Sequence, residues 1–140
     1  MTQPDFIASL SNGQILEPKG AMLAIAEWTA SGTPSGEKPE WIAPLHIHHK
    51  DDEAWYVLEG TLGFKVGESV IEAGANQSVV VPRETPHTYW NPKPGDARYL
   101  IIMTSKIRSL IDAIHAAEQR DFNSLKELFA KYDSELLEMW

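Results

Sequence analysis

The chain has 140 residues, of which 43% are hydrophobic, and its formal net charge is −8. This composition is typical of a globular protein with a hydrophobic core. The 12 lysines and arginines are scattered rather than clustered, so we expect neither a nucleic-acid partner nor binding to an acidic membrane surface. There is no cysteine, which excludes disulfides, thiolate metal ligands and cysteine nucleophiles.

The amino-terminal segment and the hydropathy of the sequence predict the cellular location of the protein. Residues 1–10 lack the basic and apolar parts of a signal peptide. No stretch approaches the roughly 20 apolar residues that a membrane span needs. We therefore expect a soluble protein, with the cytoplasm as its default location.

The predicted strands lie between about residues 14 and 104. Short runs rich in β-branched and aromatic residues, many with alternating polarity, predict them. In chain order they are Met22 to Thr29, Leu45 to His48, Ala54 to Leu58, Leu62 to Val66, Val70 to Glu72, Ser78 to Val81, His87 to Trp90 and Arg98 to Met103. Short strands at this close spacing favour a sandwich or barrel over a parallel sheet.

One loop, residues 31–39, is rich in Gly, Pro and Ser and directly precedes the strand Leu45 to His48. This composition predicts an exposed, mobile segment. We interpret it as a crossover between strands, with a flap over a cavity mouth as the alternative.

Residues from about 105 to 140 carry apolar side chains at helical spacing, which predicts two amphipathic helices. Asp121 and Ser124 are the two candidate caps of the second helix. We expect the helices to pack on the barrel or against a second subunit. The whole chain, 1–140, is then one domain, with a barrel at about 14–104 and a helical extension at about 105–140. The apolar positions are Ile107, Leu110, Ile111, Ile114 and Ala117, then Leu125, Leu128, Phe129, Tyr132, Leu136 and Met139.

The segment from Leu45 to Glu53 carries the clearest chemistry. His46 and His48 are two residues apart in a predicted strand, so both imidazoles point to the same side. Two imidazoles on one side of a strand can bind one metal ion. His49 has the opposite parity, and we expect it to face outward or lie at the rim.

Three carboxylates, Asp51, Asp52 and Glu53, compete to be the next ligand. Glu53 adjoins the strand Ala54 to Leu58 and shares a face with Trp55, so it points inward if that face does. Asp51 and Asp52 fall in the turn, where aspartate is favoured and where we expect them to be solvated.

A second segment runs from Pro82 to Asn91. Pro82 and Pro86 restrict the backbone before His87, which is a candidate for a third imidazole. Tyr89 and Asn91 share the strand face of His87 and are candidates to orient the imidazoles. Core packing is the favoured role for Tyr89.

Together the two segments resemble the paired motifs of the cupin superfamily. The first motif has His-x-His, three or four residues, Glu, six residues and Gly, and here it is His46, His48, Glu53 and Gly60. The second has Pro, a later His, three residues and Asn, matched by Pro82, His87 and Asn91. The carboxy-terminal residues also look like the helical ends of single-domain cupins similar to quercetinase.

The sequence departs from the family pattern at turn positions. Glu40 and Glu84 stand where the family usually has glycine, and Gly74 lies farther from Pro82 than usual. These positions affect the shape of the loops more than the ligands.

The resemblance implies an all-β fold, a cupin jelly-roll β-barrel followed by two C-terminal α-helices. It also implies that His46, His48, Glu53 and His87 bind one divalent transition metal ion, which could be Fe, Mn, Ni, Zn, Cu or Co. Three histidines and one carboxylate leave coordination positions open for a substrate or dioxygen. By strand parity, Trp55 is a candidate to line the pocket and Trp90 points outward, while Trp41 could take either place. Ordinary core filling is at least as well supported for each of the three.

The implied activity is that of a metal-dependent dioxygenase acting on an aromatic or enol-type small molecule, as in quercetinase-like cupins. Glu53 would then be both a metal ligand and the catalytic proton acceptor. Two alternatives stay open: a metal-dependent isomerase or lyase, and a non-catalytic module that binds a small ligand. The family also implies a homodimer.

Overall fold

The computed structural model describes residues 3–140, apart from the side chains at positions 3, 4 and 12. In these residues two short 3₁₀ turns precede ten strands and two α-helices. The strands are β1 (Ile15–Leu16), β2 (Leu23–Ala30), β3 (Leu45–His48), β4 (Glu53–Glu59), β5 (Leu62–Val66), β6 (Ser69–Ala73), β7 (Ser78–Val81), β8 (His87–Trp90), β9 (Ala97–Thr104) and β10 (Ser134–Glu138). The helices are α1 (Ser105–Ala116) and α2 (Phe122–Lys131).

The strands form two antiparallel sheets of five strands each. One has the order β1-β2-β9-β4-β7 and the other β10-β3-β8-β5-β6. Alternate residues of β4 and β9 are buried, as expected when only one face of a sheet is covered. The inward side chains, among them Trp55, Phe64 and Tyr99, fill the core. The predicted all-β jelly-roll fold is confirmed, although the two sheets stay separate instead of closing into one continuous barrel.

Both predicted helices are present. The Thr104 side chain accepts a hydrogen bond from the Ile107 amide, which caps α1. Asp121, rather than Ser124, caps α2, because its carboxylate accepts from the Ser124 amide at 3.1 Å. The apolar face of α1 buries Ile107 and Leu110.

The second helix ends earlier than its apolar spacing predicts, and Leu136 and Met139 do not continue it. After α2, Asp133 takes a left-handed conformation with φ 55°. The chain then turns into β10, which pairs antiparallel with β3. Ser134 and Leu136 are buried while Glu135 between them is less so, which is the alternation of a strand. Strand pairing is favoured here because it covers backbone groups along the edge of β3.

The loop at residues 31–39 connects β2 to β3, so it is a crossover. Its first residues contact the loop after β8: the Thr33 amide donates to the Lys93 carbonyl at 2.7 Å. A Cβ on Gly32 would lie 1.9 Å from the Pro94 carbonyl oxygen, so only glycine fits there. None of the loop residues lines the cavity described below, which gives the flap no support.

The outer edges of the two sheets expose several apolar side chains. Val80 of β7 is 62% exposed and Val70 of β6 is 68% exposed. Edge strands of this kind favour association, and the homodimer stays a prediction. Within the described residues, neither helix is long and apolar enough to cross a membrane.

Candidate metal centre

Three strands bring four chemically active side chains to one point in the interior. β3 supplies His46 and His48, β4 begins with Glu53, and β8 begins with His87. His46 and His87 face each other in the register of β3 and β8. All four side chains are buried, and each offers one ligand atom within 4.8 Å of the others.

The ligand atoms converge closely. Glu53 Oε1 lies 3.2 Å from His48 Nε2 and 3.1 Å from His87 Nε2. His46 Nε2 and His48 Nε2 lie 3.2 Å apart. Bonds of about 2.0 to 2.2 Å to a single ion place neighbouring ligand atoms about 2.9 to 3.4 Å apart. The spacing therefore fits one first-row divalent cation.

The far side of each imidazole is held by a hydrogen bond. His46 Nδ1 donates to the Pro44 carbonyl at 2.6 Å, and His87 Nδ1 donates to the Thr85 carbonyl at 2.9 Å. A carbonyl only accepts, so both rings carry their proton on Nδ1. When these rings are neutral, each Nε2 presents a lone pair to the centre, which is the form that binds a metal.

The electrostatics also suit a cation. Burial, together with the neighbouring His87 and His48, lowers the pKa of His46 to about 3, so this ring is neutral near pH 7. Burial opposes ionisation of Glu53, but its hydrogen bonds with His48 and His87 hold its pKa well below the usual range. A divalent ion bound by the three Nε2 atoms would replace those hydrogen bonds and balance the buried carboxylate.

A cavity of about 380 Å³ opens beside these residues, and His46, His48 and Glu53 form part of its wall. The rest of the wall is mostly aromatic and aliphatic, and it includes both helices of the extension. Among the described residues, no lysine or arginine lines it. The wall is therefore suited to a mainly apolar ligand. Apolar lining side chains include Trp28, Ile107, Leu110, Ile114 and Phe129.

Three buried polar groups lie in the wall of this cavity. The hydroxyls of Tyr89 and Tyr99 are 2.8 Å apart. The Trp55 indole N–H has no acceptor in hydrogen-bond geometry within the described chain. Burial raises the pKa of Tyr99 to about 12 and that of Tyr89 well above 10, so both hydroxyls keep their protons. Three donors can make at most two bonds among themselves, which leaves at least one proton for an acceptor on a ligand.

Two residues predicted to orient the imidazoles have other roles. The Asn91 amide donates to the carbonyls of Ala30, at 3.1 Å, and Gly95, at 2.9 Å, so it fixes loops. Tyr89 bonds to Tyr99. The orienting role is thus wrong for both candidates, because strand parity shows which face a side chain takes but not how far it reaches. Core packing, the favoured role for Tyr89, is confirmed.

The actual partners of the rings are two carbonyls and one hydroxyl. Pro44 and Thr85 each stand two residues before their histidine, a repeated local signal that is visible in the sequence. The third partner, the Ser134 hydroxyl, lies 2.7 Å from His48 Nδ1. Ser134 belongs to β10, a strand in the segment that the sequence pattern predicted to be helical.

The tryptophans are placed much as expected. Trp55 is buried and lines the cavity. Trp90 packs over Gly63 of β5, where a Cβ would lie 2.3 Å from the indole nitrogen. Trp41 is half-buried and does not line the cavity.

The remaining polar residues of the first motif lie outside the cluster. His49 faces outward and contacts Glu84 at 3.0 Å and Glu135 at 3.2 Å. Asp52 pairs with Arg83 at the surface. Asp51 is less solvated than expected, because its side chain is only 11% exposed and lies 3.8 Å from Lys106.

Comparison with known proteins agrees with this fold. The model of the family described as "Cupin domain" matches residues 37–103, the segment that holds all four clustered side chains. Residues 37–103 are therefore a cupin domain. No curated protein matches the sequence.

Several solved structures share the fold at low sequence identity. The cupin domain of Schizosaccharomyces pombe Cnp3 has a TM-score of 0.54 and 13% identity, covering 80% of this chain and 70% of its own. A cupin-2 domain protein from Shewanella frigidimarina has a TM-score of 0.52 and 18% identity, covering 71% and 95%. A sugar phosphate isomerase from Silicibacter pomeroyi has a TM-score of 0.51 and 16% identity, covering 60% and 51%. The chain thus spans about half the length of that isomerase, and these likenesses concern the fold alone.

Proposed function

We propose that this protein holds one divalent transition metal ion through His46, His48, Glu53 and His87. The observation that carries the proposal is the convergence of three buried imidazole Nε2 atoms and one carboxylate at 3.1–3.2 Å contacts. Any of Fe, Mn, Ni, Zn, Cu or Co suits this ligand set, because imidazole binds all of these ions.

The cavity supports a small organic ligand of aromatic or enol character. Its wall is mostly apolar, and a phosphate group would find no lysine or arginine among the described lining residues. The spare donor in the group of Trp55, Tyr89 and Tyr99 suits a neutral acceptor such as a carbonyl oxygen. The proposed ligand therefore combines a metal-binding oxygen, a second oxygen acceptor and an apolar body.

We propose that the reaction is a dioxygenation. A bound metal ion would supply Lewis acidity toward a deprotonated substrate oxygen. Glu53 is the proposed proton acceptor, because it is the one carboxylate of the cluster and it lies in the cavity wall. The apolar side chains from α1 and α2 line the same cavity and keep water from the reacting groups.

Oxygen uptake tests this activity. Protein loaded separately with Fe, Mn, Ni, Cu or Co is mixed with flavonols or diketones in an oxygen electrode. The proposal expects uptake with at least one metal and its loss in Glu53→Gln. If no combination of metal and substrate consumes oxygen, the dioxygenase assignment is wrong.

A metal-dependent isomerase or lyase is the second candidate. This candidate is supported by the similarity in fold to the Silicibacter pomeroyi protein, a sugar phosphate isomerase. The apolar wall speaks against a phosphorylated substrate, so an enolisable ketone is the better fit. Turnover of such a ketone in strictly anaerobic solution would favour this candidate over a dioxygenase.

A further inference from the structure

The strand β10 lies against the strand that carries two of the proposed metal ligands. In this pairing Ser134 faces His48 and Leu136 faces His46. From the preceding helix, the Phe129 ring packs edge-on against His46 with the ring centres 5.7 Å apart. The carboxy-terminal extension therefore contacts the candidate metal centre directly.

Ser134 makes the most specific of these contacts. Its side chain is buried, and its hydroxyl oxygen lies 2.7 Å from His48 Nδ1. The same hydroxyl lies within 3.2 Å of the Tyr132 carbonyl and can donate to it. One side chain can therefore hydrogen-bond both the His48 ring and the Tyr132 carbonyl.

A hydroxyl differs from the partners of the other two rings. Pro44 and Thr85 offer carbonyls, which only accept, whereas a hydroxyl has one proton to donate and lone pairs to accept with. Ser134 can accept from His48 Nδ1–H while donating to the Tyr132 carbonyl. It can also donate to a deprotonated Nδ1 when the proton sits on Nε2, opposite Glu53. The ring keeps one orientation in both tautomers.

We propose that Ser134 is a positioning residue for His48, which makes β10 part of the metal centre. This inference rests on the proposed metal site. When Ser134 accepts the Nδ1 proton of His48, the Nε2 lone pair faces the ion. The ring is then a better metal ligand than it would be without the Ser134 hydroxyl. Hydrogen-bond partners of this kind typically change metal affinity by about 10- to 100-fold.

Two matched substitutions test the role of the hydroxyl. Ser134→Thr keeps the oxygen and Ser134→Val replaces it with a methyl group, and both variants have nearly the same size and the same branching at Cβ. The Zn²⁺ dissociation constant of each is measured by competition with a chelator. We expect Ser134→Val to bind about 10- to 100-fold more weakly than Ser134→Thr. Equal affinities in the two variants would overturn the proposal.

A control and a second readout separate positioning from general stability. Glu135→Gln changes the next residue of the same strand on its outer face, and it should leave Zn²⁺ affinity unchanged. In ¹⁵N spectra of the imidazoles, the chemical shifts of the two His48 nitrogens should change in Ser134→Val and stay the same in Glu135→Gln. An unchanged His48 spectrum in Ser134→Val would count against the proposal.

Two further measurements keep the test decisive. If the branched variants do not fold, Ser134→Ala takes the place of Ser134→Val and is compared with the unaltered protein. If the unaltered protein binds no Zn²⁺, the proposed metal site fails. The spectrum of His48 in metal-free protein then still decides whether Ser134 holds the ring.

Discussion

His46 Nε2 and His48 Nε2 lie 3.2 Å apart in the buried interior, on neighbouring inward positions of β3. The Pro44 carbonyl holds the proton of His46 on Nδ1, so the Nε2 of the neutral ring brings a lone pair to this contact. Two facing lone pairs repel unless a proton or a cation lies between them. This relationship between two histidines underlies the metal assignment and the expected response to pH.

Acid should destabilise the metal-free protein. The unfolded chain protonates His46 near its ordinary pKa of 6.5, whereas burial and the neighbouring histidines keep the folded ring neutral down to about pH 3. The unfolded state therefore binds more protons in this window, and the free energy of unfolding falls as the pH drops. The slope due to this one residue is at most about 1.4 kcal/mol per pH unit.

Urea unfolding between pH 6.5 and 5.5 measures this slope, because a glutamate with the ordinary pKa of 4.5 stays mostly ionised in the unfolded chain over this range. The control is His46→Gln, which should flatten the dependence on pH. A slope that is the same in the variant and in the unaltered chain would contradict the assigned state of His46.

Two substitutions at Glu84 should separate the effect of backbone strain on stability from the effect of the ion pair with His49. Glu84 has φ 69°, a left-handed conformation that favours glycine, and its carboxylate contacts His49 at 3.0 Å. Glu84→Gly and Glu84→Ala both lose that contact, but only glycine relieves the backbone. We expect the glycine variant to be more stable than the alanine variant by about 1 kcal/mol, measured by urea unfolding.

The same two variants should also shift His49. Its hydrogen bond with Glu84 is the main cause that raises the pKa of His49. Imidazole NMR titration should therefore show a lower pKa in both variants. Equal stability of the two variants, or an unchanged pKa of His49, would refute this account of the turn.

When Tyr89 donates to Tyr99, the Tyr99 hydroxyl keeps the spare proton, so removing this hydroxyl should weaken only those ligands that carry an oxygen acceptor. The probes are the ortho, meta and para hydroxyacetophenones, each compared with the isopropylphenol of the same substitution, in which an alkyl group replaces the ketone. In Zn²⁺-loaded protein we expect Tyr99→Phe to reduce the affinity for the best-bound ketone by about 3- to 10-fold, the value of one hydrogen bond. The affinity for its alkyl counterpart should not change. Equal losses for ketone and alkyl probes would contradict the donor role of this hydroxyl.

Much of the fold and of the candidate site follows from local patterns in the sequence. The predicted strands are found with ends that differ by at most one residue, because alternation and turn residues mark them. Parity alone placed His46 and His48 on one face and His49 on the other. The inward direction of Glu53 follows from its sharing a face with buried Trp55.

The role of the chain end could not be predicted in this way. Residues 132–139 fit a helical stripe as well as a short alternating strand, and periodicity does not decide between them. What decides is pairing with β3, whose residue His48 is 86 positions away from Ser134. The hydrogen bond between His48 and Ser134 could not be predicted from the sequence for the same reason.

Metal analysis of the untagged protein tests the central claim most directly, with His48→Ala beside it. The account predicts close to one divalent transition metal ion per chain in the unaltered protein and a large loss of metal in the variant. A chain that holds no such ion after metal reconstitution, or a variant that keeps a full complement, would contradict it.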